Sequence, residues 1–100
     1  MFIWVDDIRK PPSNRYVWVK TVDGAKLMIA VCREKGEQVV LDLDHDAGDF
    51  SCDGGDYIKI LDWLEANGIE DVSIHLHTMN PVGRDNMRRI IRRNGWKEIY

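Results

Sequence analysis

The feature that most constrains the fold is an apolar run that ends in a cluster of ionisable side chains. Residues 39–43 are rich in Val and Leu, and Asp44, His45 and Asp46 follow them directly. An apolar run of this kind needs cover on both faces, as a central strand of a parallel sheet has. Because ligands bind at the carboxyl edge of such sheets, the run predicts both a fold class and the place of a site.

Two further segments have the same plan. The apolar residues 2–5 lead into Asp6 and Asp7, and residues 72–76 lead into His77 and the polar residues after it. Acids and histidines therefore follow three of the predicted strands, and this repetition is the main indication of function.

Apolar residues at helical spacing predict three helices. The first covers residues 22–35, the second ends at about Asn67, and the third covers residues 81–94. Thr21 and Asn80 are suitable N-caps for the first and third helices, because their side chains can accept a hydrogen bond from the first turn.

Two further strands and two loops complete the chain. β-branched and aromatic residues predict strands over residues 16–20 and 96–100. Pro, Gly, Ser and Asp residues predict loops over residues 8–15 and 47–56.

The alternation of strands and helices predicts one α/β domain over residues 1–100 with a parallel sheet. We expect a flavodoxin-like, receiver-like three-layer sandwich with strand order 2-1-3-4-5. Right-handed crossovers are expected to place helices on both faces of the sheet. One crossover helix is reduced to a loop, and no helix follows the fifth strand, so the fold is expected to have no C-terminal helix.

Composition narrows the class of partner. The net charge is −3, and 44% of the residues are hydrophobic, so no strong nucleic-acid signature and no membrane attraction are indicated. The absence of a signal peptide and of a long apolar run predicts a cytoplasmic protein. One basic cluster lies on the third helix and is either a solvated helix face or an attraction for an anion: Arg84, Arg88, Arg89, Arg92 and Arg93.

In this topology the ends of the first, third and fourth strands are neighbours. They would bring together Asp6, Asp7, Asp44, His45, Asp46 and His77. Several carboxylates in one cleft need a compensating charge, and a divalent metal ion, Mg²⁺ or Mn²⁺, is the simplest one. Two histidines would shift the preference towards a transition metal. The helix N-termini at this edge would offer N–H groups to an anion, so the set favours a phosphate ester as ligand.

Each of these residues also has a structural interpretation. Asp6 and Asp7 could cap the first strand, and Asp42 could be structural or support the site. We expect His75 to point to the opposite face from His77 and to be structural. Arg9 could bind a carboxylate or a phosphate, or extend over the loop. The four Trp residues are most simply explained by packing in the core or at the sheet edge.

Several motifs together carry a resemblance to a known family: Asp6-Asp7-x-Arg9, Trp18, Thr21-x-x-x-Ala25, Leu43-Asp44-His45-Asp46-x-Gly48 and His77-Thr78-x-Asn80-Pro81-x-Gly83. They resemble the cyclic-phosphate-processing receiver domains, which are divergent relatives of the response-regulator receivers. The resemblance covers nearly the whole chain, and its last two motifs are the most specific. It implies a hydrolytic or other processing activity on cyclic phosphates.

The resemblance also implies roles for single residues. The metal-binding and acceptor acids of receivers are matched by Asp6, Asp7 and Asp44. The polar residues that set this branch apart are matched by His45, Asp46, His77 and Asn80. Ordinary receivers have a Lys at the carboxyl end of the fifth strand, whereas Lys97 lies near its start. This difference argues against signalling by phosphorylation of Asp44.

We therefore expect a metal-dependent phosphoesterase-like enzyme that acts on a cyclic nucleotide or on a cyclic phosphate at an RNA end. Asp6, Asp7 and Asp44 would bind the metal. The catalytic residues would be His45, His77 and Asp46, and those that bind the small phosphorylated or cyclic nucleotide ligand would be Arg9, Thr78, Asn80 and Gly83.

Two alternatives stay open: a non-catalytic receiver-like module that signals or binds a partner, and a cyclic-nucleotide binder without turnover. The shared site requires Asp6, Asp44 and His77 to lie within about 12 Å of one another, since ligands sit only about 2–2.6 Å from a common ion.

Overall fold

The structure is a computed structural model that describes all 100 residues of the chain. Five strands and three helices follow one another along it: β1 (Phe2–Val5), β2 (Tyr16–Val19), α1 (Val22–Glu34), β3 (Val39–Leu43), α2 (Ile58–Ala66), β4 (Val72–Leu76), α3 (Pro81–Asn94) and β5 (Lys97–Ile99). The predicted loop over residues 47–56 includes one 3₁₀ turn, Gly48–Phe50. The predicted strands agree with the observed ones to within one residue at each end.

All strand pairs are parallel, and the strand order is β2-β1-β3-β4-β5. The predicted α/β class and strand order are confirmed. The register places Val5 beside Leu43 and Leu43 beside Leu76. Because these are the last residues of their strands, the residues that follow them leave the sheet side by side at one edge.

All three helices pack on the same face of the sheet. A single core of 22 buried residues joins Ile3, Leu41 and Ile74 of the strands to residues of every helix, such as Ile29 and Met87. The expected placement of helices on both faces, and with it the three-layer sandwich, is wrong. From β2 to β3, from β3 to β4 and from β4 to β5 the chain moves in the same direction across the sheet, so right-handed crossovers put every helix on one side.

The other face of the sheet is covered only in part. The step from β1 to β2 runs in the opposite direction, and its connection, residues 6–15, contains no helix. Strand residues that alternate with the core residues, such as Trp4, Val40 and Asp42, line this face together with Tyr16 and His75. The structure is therefore a two-layer α/β fold with an open sheet face.

The expected absence of a C-terminal helix is also wrong. Helix α3 has 14 residues, occupies the C-terminal part of the fold and buries Met87, Ile90 and Ile91 in the core. Asn80 caps its first turn, and Gly95 ends it with a φ of 69°. The expectation considered only the segment after the fifth strand, whereas the C-terminal helix of this fold comes before that strand.

None of the three helices combines the length and the apolar character that crossing a membrane requires.

Candidate functional site

Asp6, Asp44 and His77 converge at the carboxyl edge of the sheet. One carboxylate oxygen from each Asp and one ring nitrogen of His77 all lie within 4.8 Å of one another. Each residue directly follows a strand, and the register of β1, β3 and β4 puts those strand ends side by side. The three residues thus meet the distance condition for a shared site.

The Asp6 carboxylate is held in a fixed orientation below the surface. Only 1% of Asp6 is exposed. Its Oδ1 accepts hydrogen bonds from the N–H groups of Ile8 (2.9 Å) and Arg9 (2.8 Å), and its Oδ2 lies 2.9 Å from His77 Nε2. Burial alone would raise the pKa of Asp6, but these donors and the imidazole outweigh it, so the pKa lies below its usual value. Asp6 is therefore an ionised oxygen donor at neutral pH.

Arg9 partly compensates the negative charge of this cluster. Its Nε lies 3.3 Å from Asp6 Oδ2, and its Nη2 lies 3.8 Å from Asp44 Oδ2. Of the alternatives for Arg9, the structure shows contact with carboxylates. Because 49% of the side chain is exposed, the interaction is screened by solvent, and the guanidinium is free to change partner.

His77 is fixed at both of its ring nitrogens and on one face of its ring. Its Nδ1 lies 2.6 Å from Asp42 Oδ1, and its ring stacks on Trp4 with centroids 3.9 Å apart. This leaves Nε2 directed at Asp6. A carboxylate behind an imidazole is the usual way in which proteins orient a histidine that binds a metal.

His75 lies on the same face as His77, so the expectation that it points to the opposite face is wrong. Its Nδ1 lies 2.9 Å from the same Asp42 oxygen that contacts His77. Side chains two residues apart on a strand share a face, and this rule places His75 with His77 and Asp42 with Asp44. Of the two alternatives for Asp42, structural or supporting the site, its contacts with His75 and His77 favour support of the site.

Asp7 lies beside the cluster without joining its three donor atoms. A Cβ on Gly48 would come within 2.4 Å of Asp7 Oδ2, so only glycine leaves room for this carboxylate. Gly48 also has a φ of 56°, which favours glycine. Burial and the charges of Asp6 and Asp44 raise the pKa of Asp7. The negative charge of the carboxylates at this edge of the sheet is therefore only partly compensated by Arg9.

His45 belongs to a second, adjacent cluster. A ligand atom from each of His45, Asp46 and Asp56 lies within 4.8 Å of the others, and His45 Nδ1 is 2.9 Å from Asp46 Oδ1. The backbone N–H of His45 donates to Asp44 Oδ1 (2.8 Å), which connects the two clusters. His45 and His77, which were expected to act together, are thus divided between neighbouring groups.

Three residues expected to bind substrate lie at the N-terminal end of α3 and take part in its cap: Thr78, Asn80 and Gly83. Thr78 is buried, and its Oγ1 accepts a hydrogen bond from the Asn80 N–H (3.1 Å). Asn80 Oδ1 accepts from the Gly83 N–H (3.0 Å), and Asn80 Nδ2 donates to Asp46 Oδ2 (3.5 Å). Gly83 provides the space for the His45 ring, because a Cβ there would come within 2.5 Å of it. In this structure the three residues build the wall that positions His45.

Comparison with known proteins identifies the family of this chain. The model of the cyclic-phosphate processing receiver domain matches residues 1–93 of the chain. The chain belongs to this family. A search of curated proteins and a search of solved structures each returned no match. The resemblance noted in the sequence is confirmed, and the match includes both clusters of this receiver domain.

This receiver domain holds its β1–β2 connection with two indole groups. Trp4 Nε1 donates to the Arg9 carbonyl (2.8 Å), and Trp18 Nε1 donates to the Asp6 carbonyl (2.8 Å). Both Trp residues were expected simply to pack, and their role at the site was missed. The sequence offered one signal, the position of Trp18 within the family motif.

The arginines of α3 are largely paired within this receiver domain. Arg88 contacts Glu98 at 2.6 Å, Arg93 contacts Glu65 at 2.9 Å, and Arg84 donates to the Thr78 carbonyl. These contacts favour the interpretation of the basic cluster as a helix surface.

The donor set of the receiver domain's first cluster fits a divalent metal. Two carboxylates and one imidazole already lie close enough to share an ion, and uncompensated negative charge surrounds them. Carboxylates suit Mg²⁺ and Mn²⁺, and the imidazole moves the preference towards Mn²⁺ or a later transition metal.

Proposed function

We propose that this domain is a metal-dependent phosphoesterase that hydrolyses a cyclic phosphate. The observation that carries the proposal is the convergence of Asp6, Asp44 and His77 at one sheet edge, next to a histidine–carboxylate pair. The description of the family supplies the substrate class. Asp6, Asp44 and His77 would hold a divalent cation, with Asp7 adding negative charge beside them. Such an ion, when bound, polarises a phosphoryl oxygen.

His45 is the proposed general base. Its Nδ1 lies 2.9 Å from Asp46 Oδ1, which favours the tautomer that carries its hydrogen on Nδ1. The other nitrogen, Nε2, is then able to accept a proton. A water molecule gives this nitrogen a proton while its oxygen bonds to phosphorus. The ring P–O bond breaks, the departing oxygen takes a proton from solvent water, and His45 returns its proton to the solvent, so that a phosphate monoester results.

Arg9 is the proposed phosphate-binding residue. It is half-exposed, lies 3.3 and 3.8 Å from the Asp6 and Asp44 carboxylates, and donates a long hydrogen bond of 3.3 Å to the His77 carbonyl. Because the side chain is half-exposed, solvent weakens these contacts. With the charge of these carboxylates compensated by a bound cation, the guanidinium would be available to two phosphate oxygens.

Hydrolysis of a panel of cyclic phosphates in the presence of Mn²⁺ or Mg²⁺ tests the proposal. We expect turnover that requires the metal, and a fall in kcat of about 10²- to 10⁴-fold in His45→Ala, since that is the usual contribution of a general base. Asp62→Asn, an exposed acid on α2, is the matched control for Asp44→Asn. Turnover unchanged in both His45→Ala and Asp44→Asn would contradict the proposal.

Signalling by phosphorylation of Asp44 is the alternative that a receiver fold suggests. Lys97 pairs with Ser73, whereas the site lies beyond Leu76 at the other end of β4. Without a lysine at the carboxyl end of β5 we expect no phosphoryl adduct at Asp44 after incubation with acetyl phosphate and Mg²⁺. Intact mass measurement checks this expectation, and an adduct that Asp44→Asn abolishes would favour signalling.

A further inference from the structure

A groove lies on the open face of the sheet, directly behind the candidate metal centre. Its volume is about 440 Å³, within the range of small-molecule sites. The groove extends from the β1–β2 connection at Pro12 to the end of the chain at Ile99 and Tyr100. His77 lines it as well, so the groove and the metal centre share a residue and form one continuous surface.

Three aromatic rings form one wall of this groove. Tyr16 meets Phe2 and Trp4 edge to face, each with centroids 5.7 Å apart and planes at 72°. These contacts hold the rings in fixed positions, which lowers the entropy lost when a flat ligand packs against them. His77 stacks on Trp4 and the Arg15 guanidinium lies 3.8 Å from the Phe2 centroid, so Tyr16 is the ring of this wall without a stacked partner. The wall favours a planar, aromatic ligand.

The floor of the groove contains a polar group with a free nitrogen. His75 is 37% exposed, and its Nδ1 contacts the Asp42 carboxylate. Because that carboxylate accepts the Nδ1 hydrogen, Nε2 of the neutral ring carries a lone pair, and this nitrogen has no hydrogen-bond partner in the protein. A purely apolar ligand would leave this nitrogen unpaired, whereas a ring with an N–H group would satisfy it.

His75 of β4 and His77, which directly follows this strand, set the distance between groove and metal centre. Residues two apart on a strand are separated by about 6.6 Å along it. This is about the span of one ribose, the unit that separates the phosphate from the base in a nucleoside phosphate. The groove therefore lies where the base of a nucleoside would be if its phosphate were at Asp6 and His77.

We propose that the groove binds the nucleobase of the substrate, which makes the substrate a nucleoside cyclic phosphate. The proposal rests on the proposed function for the position of the phosphate. The base packs against the aromatic wall, and an N–H group at its edge donates to His75 Nε2.

Binding and turnover are tested separately, with two probes. Adenosine 2′,3′-cyclic phosphate has a base, and glycerol 1,2-cyclic phosphate has none. In NMR spectra of His45→Ala with Mg²⁺, we expect the adenosine probe to shift resonances of His75 and Ile99. The glycerol probe should shift only those near Asp6 and His77. Identical shift patterns for both probes would overturn the proposal.

A substitution that blocks the groove supplies the kinetic test. Ile99→Lys places a long side chain at its border, and Val31→Lys on α1 is the matched control, since the two residues are 36% and 38% exposed. We expect Ile99→Lys to lower kcat/KM for the adenosine probe about 10- to 100-fold through KM, the range that stacking of one base is worth. Turnover of the glycerol probe, and both activities of Val31→Lys, should not change.

The failures of the two proposals are distinguishable. Base-dependent shifts without turnover of either probe would support the groove and contradict the phosphoesterase. Turnover of both probes with equal kcat/KM, in wild type and Ile99→Lys alike, would contradict the groove and leave the phosphoesterase standing. Groove resonances that broaden with protein concentration before any probe is added would mean that a second copy occupies the groove, and this too would overturn the base-binding proposal.

Discussion

Asp42 contacts both His75 of β4 and His77, which follows that strand, from the middle of the sheet. Its buried Oδ1 lies 2.6 Å from His77 Nδ1 and 2.9 Å from His75 Nδ1. A buried carboxylate is costly unless hydrogen-bonded, and these two imidazoles provide the bonds. One residue thus positions a proposed metal ligand and a proposed base-binding residue.

We expect Asp42→Asn to weaken the affinity for Mn²⁺ about 10- to 100-fold, the usual effect of losing a carboxylate behind a metal-binding histidine. The amide retains an acceptor oxygen but has no charge, so its hydrogen bond orients His77 less strongly than that of the carboxylate. Calorimetric titration with Mn²⁺ measures the effect, with Asp62→Asn as the control. An unchanged affinity would show that Asp42 acts in folding alone.

Gly83 is expected to matter for activity through His45. A Cβ at this position would come within 2.5 Å of the His45 ring, so Gly83→Ala should displace the ring. We expect kcat to fall by a factor similar to that of His45→Ala. The double variant should lose no more than either single one, because both changes remove the same group. Fully additive losses in steady-state kinetics would refute this coupling.

Asp7 is expected to destabilise the metal-free protein at neutral pH. Burial and the charges of Asp6 and Asp44 raise its pKa above the ordinary 3.8, so the folded state binds the proton more tightly than the unfolded state does. The contribution of Asp7 to the free energy of unfolding therefore falls as the pH rises from 3.8 through the raised pKa of the folded state. Asp7→Asn should raise the melting temperature by a few degrees at pH 7.

The pH dependence distinguishes this explanation from a packing effect. At pH 3, where the carboxyl group is protonated in both states, Asp7→Asn and wild type should melt at similar temperatures. Thermal unfolding followed by circular dichroism measures both conditions. An equal gain at pH 3 and pH 7 would rule out the electrostatic explanation.

At the level of elements, the β1–β2 connection depends on indole hydrogen bonds because no helix covers it. Trp4 and Trp18 hold the carbonyl groups of Arg9 and Asp6, and Asp6 in turn accepts from the backbone of residues 8 and 9. The connection is short and polar, yet it carries the acid that the site depends on. Its order therefore comes from the neighbouring strands.

Trp18→Phe should loosen this connection without unfolding the domain. The variant loses one hydrogen bond, which is worth about 1 kcal/mol. We expect faster hydrogen exchange at the amides of Ile8 and Arg9, which donate to Asp6. Trp63→Phe on α2 is the control, since Trp63 Nε1 makes no hydrogen bond in the protein. Equal exchange rates in both variants and wild type would argue against the proposed role of Trp18.

At the level of the whole molecule, the direction of the crossovers determines both the core and the site. Three crossovers of one direction collect every helix on one face and leave the other face for the groove. The same parallel arrangement collects the strand ends at one edge, where like charges accumulate. A divalent cation bound there would stabilise the native state alone.

Global stability should therefore rise with metal concentration. At 100 times the dissociation constant, binding to the native state adds about 2.7 kcal/mol to the free energy of unfolding. We expect urea unfolding in Mn²⁺ to show this gain in wild type and Asp62→Asn. Asp44→Asn, which removes one of the donors, should lose most of it. An equal gain in Asp44→Asn would place the stabilising ion elsewhere.

The sequence by itself determined the elements, the parallel sheet and the residues at the strand ends. Hydrophobic periodicity and caps such as Asn80 are local signals, and the order of elements follows from them. The convergence of Asp6, Asp44 and His77 also followed, because parallel strands end at one edge.

Only the tertiary structure decided which residues share contacts. That Asp42 joins two histidines and that His45 lies against Gly83 depend on strand register and on the packing of α3. These are relations between segments far apart in the chain. The one-sided helix layer, by contrast, follows from the predicted strand order and right-handed crossovers. Local patterns fix the conformation of a segment, whereas the packing of distant segments fixes which side chains meet.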